Sequence, residues 1–329
     1  MTALALWCVG PGEVVLRTAE TGQGVLIETL FSGISRGTER LVHAGHVPES
    51  EWDRMRCPNQ EGRFPFPVKY GYSVVGRVLE GAHRGRSVFA LHPHQSQFRL
   101  PEPALLFLPE GVPEARGILA ANLETALNIL WDSKAGAGDR IAIVGAGVVG
   151  LLTAYLAAKL PGADVTLIDT NTDRAPPARA LGCGFVTPPN APKDQDCVIH
   201  LSASANGLAT AIGCAATEAT VVEASWYGTT NPSVPLGGAF HSKRLRLVSS
   251  QVGQLPAQRR PRWTHRRRLE KALDLLQDPR LDALISGECA FADLSERYGA
   301  ILSDPETLCH RIRYPNADTN ADQEITCLP

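Results

Sequence analysis

A glycine-rich turn between two segments of regular structure constrains the fold of this chain more than any other feature of its sequence. The segment Gly145-Ala146-Gly147-Val148-Val149-Gly150 fits the pattern G-x-G-x-x-G. The apolar run 141–144 before it predicts a strand, and residues 148–160 predict a helix. A second predicted strand ends in Asp169, nineteen residues after Gly150. This order of strand, glycine turn, helix, strand and acid predicts a βαβ unit that binds a dinucleotide.

Each glycine of this turn has its own physical role. Gly145 permits the tight turn, Gly147 lets a pyrophosphate approach the backbone, and Gly150 lets the helix pack closely on the strand. The pyrophosphate would then lie against the N–H groups at the start of the helix, including those of Val148 and Val149. The positive end of the helix dipole also favours an anion there.

The acid after the second strand bears on the choice of cofactor. Asp169 can accept hydrogen bonds from ribose hydroxyls, and its charge would repel the 2′-phosphate of NADP. We therefore expect NAD as the cofactor, with Thr170 next to Asp169 in the same site. Arg174 lies five residues beyond Asp169 and could accommodate a 2′-phosphate, which leaves NADP as an alternative.

The rest of the chain divides into two kinds of pattern. With 329 residues it is longer than one core usually supports, which predicts two domains. Residues 1–110 are rich in Gly, Pro and short β-type runs, whereas strands and helices alternate from Arg140 onward. The predicted fold is α/β, with a doubly wound parallel sheet and a mostly β domain. The predicted strands are 1–7, 25–31, 73–79, 87–91, 141–144, 164–169, 197–201 and 220–223. The predicted helices are 114–133, 148–160, 269–277 and two around Ala178 and Leu208, and 48–67 is predicted to be an exposed loop.

Composition argues against several classes of partner. A net charge of −2 gives no general attraction to nucleic acid or anionic lipid, and no apolar run is long enough to span a membrane. The N-terminus lacks the features of a signal peptide, and the eight cysteines form no C-x-x-C pair. We therefore expect a cytoplasmic protein with reduced, buried thiols and a small-molecule substrate.

One basic cluster, residues 259–268, stands apart from this composition. It contains six arginines within ten residues, which leaves nucleic acid or an anionic substrate group as conceivable ligands. The slightly acidic net charge favours a third interpretation, a solvated loop that leads into the amphipathic helix 269–277.

Several motifs together resemble one known family. They are Gly33–Arg40, Pro67–Gly76, the Rossmann segment from Gly138 to Asp169, and Ala180-Leu181-Gly182. On these motifs the chain resembles the medium-chain dehydrogenase/reductase superfamily, and within it the bacteriochlorophyllide a dehydrogenase branch, whose members oxidise a secondary alcohol on a large ring substrate with NAD. The resemblance implies a GroES-like catalytic domain at 1–122 and 253–329, an NAD-binding Rossmann domain at 123–252, and a homodimer.

The resemblance also has informative gaps. Zinc-dependent members of the superfamily carry three catalytic zinc ligands, whereas the corresponding places here hold Ser35 or Arg36, Tyr72 with Ser73, and roughly Ala121. None of these supplies the thiolate and imidazole set that catalytic zinc requires, so we expect a zinc-free site with no metal. A metal site remains an alternative because ligand-type side chains occur in the same half, namely Glu39, His43, His92 and His94.

Without zinc, side chains must accept or donate the substrate proton. Tyr72 stands where zinc members place a histidine ligand, and Thr38 and Glu39 stand near the usual proton relay. His94 or His92 could act as a base near neutral pH. Each of these also has a structural interpretation, such as packing for Tyr72 and ion pairing with Arg36 or Arg40 for Glu39.

The resemblance further implies cofactor contacts outside the glycine turn. Thr125 would lie beside the nicotinamide and Ser202 beside its ribose. The reactive edge would be lined by Trp226, Tyr227 and Gln251, and Arg311 or Arg313 would reach the pyrophosphate.

These residues predict a function with two alternatives. We expect an NAD(H)-dependent, zinc-independent enzyme that interconverts an alcohol and a carbonyl on a small organic or ring-bearing substrate. The alternatives are an enoyl or quinone reductase of the same superfamily, and a non-catalytic NAD(H)-binding redox sensor.

Overall fold

In a computed structural model of the chain, residues 3–316 are described, and they form two compact units. The β-rich unit comprises 3–121, 273–277 and 285–316, and the parallel-sheet unit comprises 122–272 and 278–284. Cys327 and the last residues of the predicted range 253–329 lie outside the described part.

The β-rich unit begins with nine short strands and two helices. Their bounds are β1 Ala3–Gly10, β2 Glu13–Ala19, β3 Val25–Ser35, α1 Arg36–His43, β4 Glu61–Gly62, β5 Val68–Lys69, β6 Val74–Val78, β7 Ser87–Ala90, β8 Gln97–Leu100, β9 Leu106–Phe107 and α2 Glu114–Gly117. The segment predicted as a loop, 48–67, contains no α-helix and holds a 3₁₀ turn at Glu49–Glu51 together with β4.

The parallel-sheet unit alternates helices and strands. Its elements are α3 Ala120–Ser133, β10 Arg140–Val144, α4 Val148–Ala157, β11 Asp164–Ile168, α5 Ala175–Ala180, β12 Gly184–Val186, β13 Gln195–His200, α6 Ala205–Cys214, β14 Ala215–Glu223, β15 Arg246–Ser249 and α7 His265–Asp274. All six strands are parallel, in the order β12-β11-β10-β13-β14-β15. Strands β11 and β12 therefore extend the sheet on one side of β10, and β13 to β15 extend it on the other side. The strand order reverses between β10 and β13.

The chain returns to the β-rich unit with β16 Ile285–Ala290, α8 Leu294–Ser303 and β17 Cys309–Arg313. One sheet there has the order β16-β17-β3-β6-β7-β9, with β8 also paired to β3, and a second has the order β2-β1-β5-β4. Ile34 of β3, Tyr298 of α8 and Ile312 of β17 belong to one buried cluster in this unit.

Burial explains why the parallel sheet forms where it does. Residues 141–144 of β10 are all buried, as expected for a central strand with helices on both faces. Nine of the ten residues of α4 are buried, so this helix lies inside the unit rather than on its surface. A cluster around Val198, Leu208 and Val221 fills the space between α6 and the sheet.

The structure corrects two sequence expectations. The helix predicted at 269–277 begins at His265 and ends at Asp274. The basic cluster is therefore not only a solvated loop, because Arg268 lies within α7 and is almost fully buried. Helix α1 and strand β2 were not predicted. No helix among residues 3–316 has both the length and the apolar content needed to cross a bilayer.

Candidate cofactor and active-site residues

The glycine turn has the geometry that its sequence predicts. Gly145 has φ +109°, and a Cβ on it would lie 2.7 Å from the backbone nitrogen of Ser202. A Cβ on Gly150 would lie 1.9 Å from the carbonyl oxygen of Gly145, so α4 could not pack this closely with a larger residue. A Cβ on Gly147, in contrast, would meet no atom within 4 Å. Two of the glycines are thus required by the protein, whereas Gly147 borders open space that a ligand can use.

Helix α4 begins directly after this space. Gly147 is its N-cap and offers no side chain to bind the N–H groups of the first turn. The N–H groups of Val148, Val149 and Gly150 have no acceptor within the helix, since the first turn of any α-helix lacks one. The turn therefore fits a pyrophosphate through backbone donors and the helix dipole.

Asp169 lies one residue beyond β11 and is half-buried. Its Oδ2 accepts a hydrogen bond from the N–H of Ala146 at 2.6 Å, and its Oδ1 accepts one from the N–H of Asn171 at 2.9 Å. These bonds hold the carboxylate against the glycine turn. Thr170 is exposed beside it, whereas Arg174 is buried at the end of the 3₁₀ turn Thr172–Arg174.

Ser202 joins a hydrogen-bond network at the carboxyl ends of β13 and β14. His200 Nε2 lies 2.6 Å from Ser202 Oγ, and His200 Nδ1 lies 2.7 Å from Glu223 Oε2. The hydroxyl of Tyr227 donates to Glu223 at 3.2 Å, and Glu223 Oε1 accepts the N–H of Ser225 at 2.8 Å. Sequence reasoning missed His200 and Glu223. The available signal was a polar residue at the carboxyl end of each of two apolar strands.

The remaining cofactor candidates of the parallel-sheet unit lie at separate places. Trp226 and Tyr227 follow β14 and are half-buried, and Thr125 is half-buried within α3. Gln251 follows β15, is exposed, and accepts the N–H of Gly253 through its side chain at 2.7 Å. Arg311 belongs to the other unit, where it pairs with Glu288 of β16 at 2.5 Å.

The β-rich unit brings its predicted catalytic residues into one buried network. Glu39 and His94 have no exposed surface, and His94 Nε2 lies 3.0 Å from Glu39 Oε2. The hydroxyl of Tyr298 donates to the same oxygen at 2.7 Å, while Glu39 Oε1 accepts the N–H of Ser35 at 2.7 Å. On the other side of the imidazole, Nδ1 lies 2.9 Å from Ser32 Oγ.

Tyr72 reaches the edge of this network. Its hydroxyl forms hydrogen bonds with the side chains of Ser35 and Thr38. Burial raises the pKa of Tyr72 above its ordinary value, and the charge of Glu39 adds to the effect. The structure therefore brings all four catalytic candidates, Tyr72, Thr38, Glu39 and His94, into one connected cluster.

His92 does not behave as the sequence suggested. Its ring stacks on Phe98 with centroids 4.0 Å apart, and Nδ1 lies 2.9 Å from the carbonyl oxygen of Pro93. Burial lowers the pKa of His92 to about 3. The expectation that His92 could act as a base near neutral pH is therefore wrong, because this imidazole takes up a proton only in strong acid.

A metal site has no support from the side-chain positions. Within residues 3–316, no group of three or more His, Cys, Asp or Glu side chains is placed to hold a metal ion. Six of the seven cysteines in this range are buried, and Cys57 is half-buried.

Part of the parallel-sheet unit matches a known family, and part of the chain matches a curated relative. Residues 143–175 match the model of the NAD(P)-binding Rossmann-like domain. D-guloside 3-dehydrogenase of Escherichia coli (strain K12) is 25% identical over 206 residues, which are 58% of this chain. The match spans only 59% of that relative's own length.

Solved structures match nearly the whole chain. L-idonate 5-dehydrogenase from Escherichia coli superposes with a TM-score of 0.77 at 14% identity, covering 95% of this chain and 98% of that one. A short chain alcohol dehydrogenase from Escherichia coli in complex with NADH gives a TM-score of 0.75 at 15% identity, covering 95% and 100%. These likenesses confirm the predicted fold class, a Rossmann domain together with a mostly β, GroES-like domain.

Proposed function

We propose that this chain is an NAD(H)-dependent oxidoreductase that interconverts an alcohol and a carbonyl compound without zinc. One observation carries the proposal: of the three glycines in the turn at 145–150, Gly147 is the one that borders open space, directly before the N-terminus of α4 and close to the carboxylate of Asp169. The match of residues 143–175 to the NAD(P)-binding Rossmann-like domain supports the proposal. The similar proteins, which are named as dehydrogenases, support it too.

The residues of this chain would divide the work between binding and proton transfer. The first N–H groups of α4 would hold the pyrophosphate. Asp169, which accepts hydrogen bonds from the N–H groups of Ala146 and Asn171, would accept hydrogen bonds from ribose hydroxyls in their place. The bound nicotinamide would supply hydride acceptance and donation at carbon. The chain's own side chains would then have to hold or move the hydroxyl proton.

Zinc independence is part of the proposal. The places that hold zinc ligands in the similar superfamily carry Ser35 or Arg36, Tyr72 and roughly Ala121 here. Glu39 and His94, which could serve as ligands, are already bonded to each other and to Tyr298 and Ser32. Kinship with the bacteriochlorophyllide a dehydrogenase branch, a cytoplasmic location, a homodimer and a ring-bearing substrate also belong to the proposal.

Binding and turnover test the proposal together. Titration calorimetry with NAD, NADH and NADPH should detect binding to the purified protein, with NAD(H) preferred. Absorbance at 340 nm should then change with at least one member of a panel of secondary alcohols and their ketones. Turnover with enones or quinones alone would indicate the reductase alternative, and binding without turnover across the panel would indicate the redox sensor. No binding of any nicotinamide dinucleotide would refute the proposal.

Asp169→Ala tests the preference for NAD. Losing hydrogen bonds between a carboxylate and ribose hydroxyls should weaken NAD(H) by roughly tenfold or more, because charged hydrogen bonds each contribute about 1.5–3 kcal/mol. NADP(H) should lose much less, since the same change removes repulsion of its 2′-phosphate. Asp173→Ala, an exposed acid four residues later, is the matched control and should leave both affinities unchanged. Equal weakening of both cofactors would contradict the assignment.

A further inference from the structure

The carboxyl ends of β10 and β13 meet at the point where the strand order of the parallel sheet reverses. In doubly wound sheets, ligands bind in the crevice at this switch point. The glycine turn leaves β10 there, and Ser202 leaves β13 there. The close approach of Gly145 to the backbone of Leu201 and Ser202, at 2.7 Å from a Cβ position, shows that the two segments adjoin.

Three hydrogen-bonded side chains lead from this switch point into the parallel-sheet unit. His200 is the last residue of β13, Glu223 is the last residue of β14, and the two are direct register partners on neighbouring parallel strands. The imidazole of His200 has no exposed surface and links Ser202 Oγ at 2.6 Å to Glu223 Oε2 at 2.7 Å. Ser202 itself is exposed. Ser202, whose Oγ also lies 3.0 Å from Ser204 Oγ, is therefore the exposed end of this series of side chains.

The hydrogen bonds around Glu223 determine which nitrogen of the His200 imidazole carries the proton. Burial by itself would raise the pKa of Glu223, but hydrogen bonds from His200 and Ser225 hold it below its ordinary value. An ionised Glu223 draws the Nδ1–H of His200 towards itself and leaves Nε2 as the acceptor for the hydroxyl of Ser202. The imidazole also lies 3.4 Å from Ser225 Oγ, stacks on the ring of Tyr227 and adjoins Gly207.

Serine, histidine and carboxylate in this order can serve either acyl transfer or proton transfer. Acyl transfer at a strand-to-helix turn uses the N–H of the residue after the serine to bind the oxyanion. Here that N–H, of Ala203, donates to Ser225 Oγ at 3.1 Å. This bond occupies the oxyanion donor, which disfavours acyl transfer and leaves proton transfer. The hydroxyl of Ser202 lies close to Gly207, where a Cβ would lie 2.0 Å from it.

We propose that Ser202, His200 and Glu223 form a proton relay that takes up the hydroxyl proton of the alcohol substrate. The proposal rests on the proposed function and adds a second candidate base to the cluster in the β-rich unit. With the oxidised nicotinamide as the acceptor of the hydride from the carbinol carbon, the O–H bond would break and its electron pair would form the carbonyl π bond. The proton passes to Ser202 Oγ, whose own proton moves to Nε2 of His200. The resulting imidazolium is paired with the carboxylate of Glu223, and carbonyl reduction runs the same transfers in reverse.

The tautomer of His200 tests the relay without any turnover. In ¹⁵N-histidine NMR spectra at pH 8, the wild-type His200 should carry its proton on Nδ1, with Nε2 as an acceptor. Glu223→Gln should shift the proton to Nε2, because the amide can donate to Nδ1. Tyr227→Phe should leave the tautomer unchanged, since it removes only a second donor to Glu223. A proton on Nε2 in the wild-type protein would overturn the relay.

Kinetics separate the relay from the proposed function. His200→Gln and Ser202→Ala should lower kcat for alcohol oxidation at least about 100-fold, within the usual range for a positioned base. NADH affinity of His200→Gln should stay within about threefold of wild type, because the imidazole is fully buried and the pyrophosphate would be held by backbone N–H groups of α4. The exposed pair His241→Gln and Ser242→Ala are matched controls with wild-type kinetics.

The outcomes distinguish the two failures. A wild-type enzyme that turns over alcohols while His200→Gln keeps its kcat would refute the relay alone. A wild-type protein that binds no nicotinamide dinucleotide would refute the proposed function, whatever the tautomer of His200.

Discussion

Three histidines of the β-rich unit lie where a charged imidazole is disfavoured. Burial is the first cause for each, and it lowers the pKa values of His43, His92 and His310. His92 is affected most, with a pKa of about 3. In the unfolded chain the same side chain takes up a proton near pH 6.5. Acid therefore favours the unfolded state, and the stability present above pH 6.5 is lost as the pH falls towards 3.

His92→Gln should reduce this acid sensitivity. Between pH 7 and pH 5, the titration of His92 should lower the free energy of unfolding by about 2 kcal/mol in the wild-type protein. Glutamine cannot take up the proton, so urea unfolding of the variant should show a loss smaller by that amount. His241→Gln, at an exposed position, should retain the wild-type pH dependence. Identical pH dependence in His92→Gln and wild type would contradict the assignment.

Arg268 is the one arginine of the basic cluster 259–268 that is buried, and its charge is paired with a carboxylate. Its Nε lies 3.0 Å from Glu124 Oε1, and its other nitrogens donate to Asn128 Oδ1 and the carbonyl oxygen of Val252. Arg266 of the same helix is half exposed and pairs with Glu270 at 2.8 Å. The two arginines therefore provide a comparison of buried and exposed pairing within one helix.

Arg268→Met should destabilise the protein by about 3 kcal/mol or more, because it leaves the buried carboxylate of Glu124 without its cation. Arg266→Met should change the free energy of unfolding by less than about 1 kcal/mol, as is usual for exposed pairs. Urea unfolding at pH 7 measures both. Similar values for the two variants would show that the Arg268–Glu124 pair contributes no more than a surface pair.

At the scale of elements, the turn between β10 and α4 separates the requirements of folding from those of binding. Gly150 is needed because its Cα faces the carbonyl oxygen of Gly145, a contact within the protein. Gly147 has an ordinary φ of −71° and empty space beyond its Cα, so neither conformation nor packing requires glycine there. Its lack of a side chain matters only for a ligand.

Alanine substitutions at the two glycines should therefore have opposite effects. Gly147→Ala should keep the wild-type melting temperature within a few degrees and weaken NADH binding at least tenfold, because the methyl group enters the ligand's space. Gly150→Ala should destabilise the fold by roughly 1–3 kcal/mol or more, as overpacking does. Thermal unfolding and NADH titration check both. Undiminished NADH binding by Gly147→Ala would show that the pyrophosphate lies elsewhere.

At the scale of the whole molecule, the proposed chemistry predicts metal content. The protein purified without chelator and dialysed should contain well below one zinc per chain. Treatment with a chelator should change neither its melting temperature nor its NADH affinity, because no thiolate stands at the ligand positions inferred from the resemblance. One tightly held zinc per chain, or loss of binding on chelation, would contradict a zinc-free site.

The sequence alone determined the features that depend on short stretches of chain. The apolar run before the glycine turn, the helix after it and the acid at Asp169 are local patterns, and each lies where it was predicted. Alternating strands and helices also predicted the parallel sheet, because parallel neighbouring strands need a long crossover connection, which is usually a helix. These features follow from periodicity and backbone sterics within about thirty residues.

Which side chains that are distant in sequence come into contact depends on tertiary packing. Glu39, His94 and Tyr298 come from three separate segments, and their network depends on how α1, the loop between β7 and β8, and α8 pack together. His200 and Glu223 meet because two parallel strands share one register, which local patterns do not reveal. The burial of Arg268 likewise depends on α7 lying against α3. Hydrogen bonds act over about 3 Å in space, whereas the sequence orders these residues tens to hundreds of positions apart.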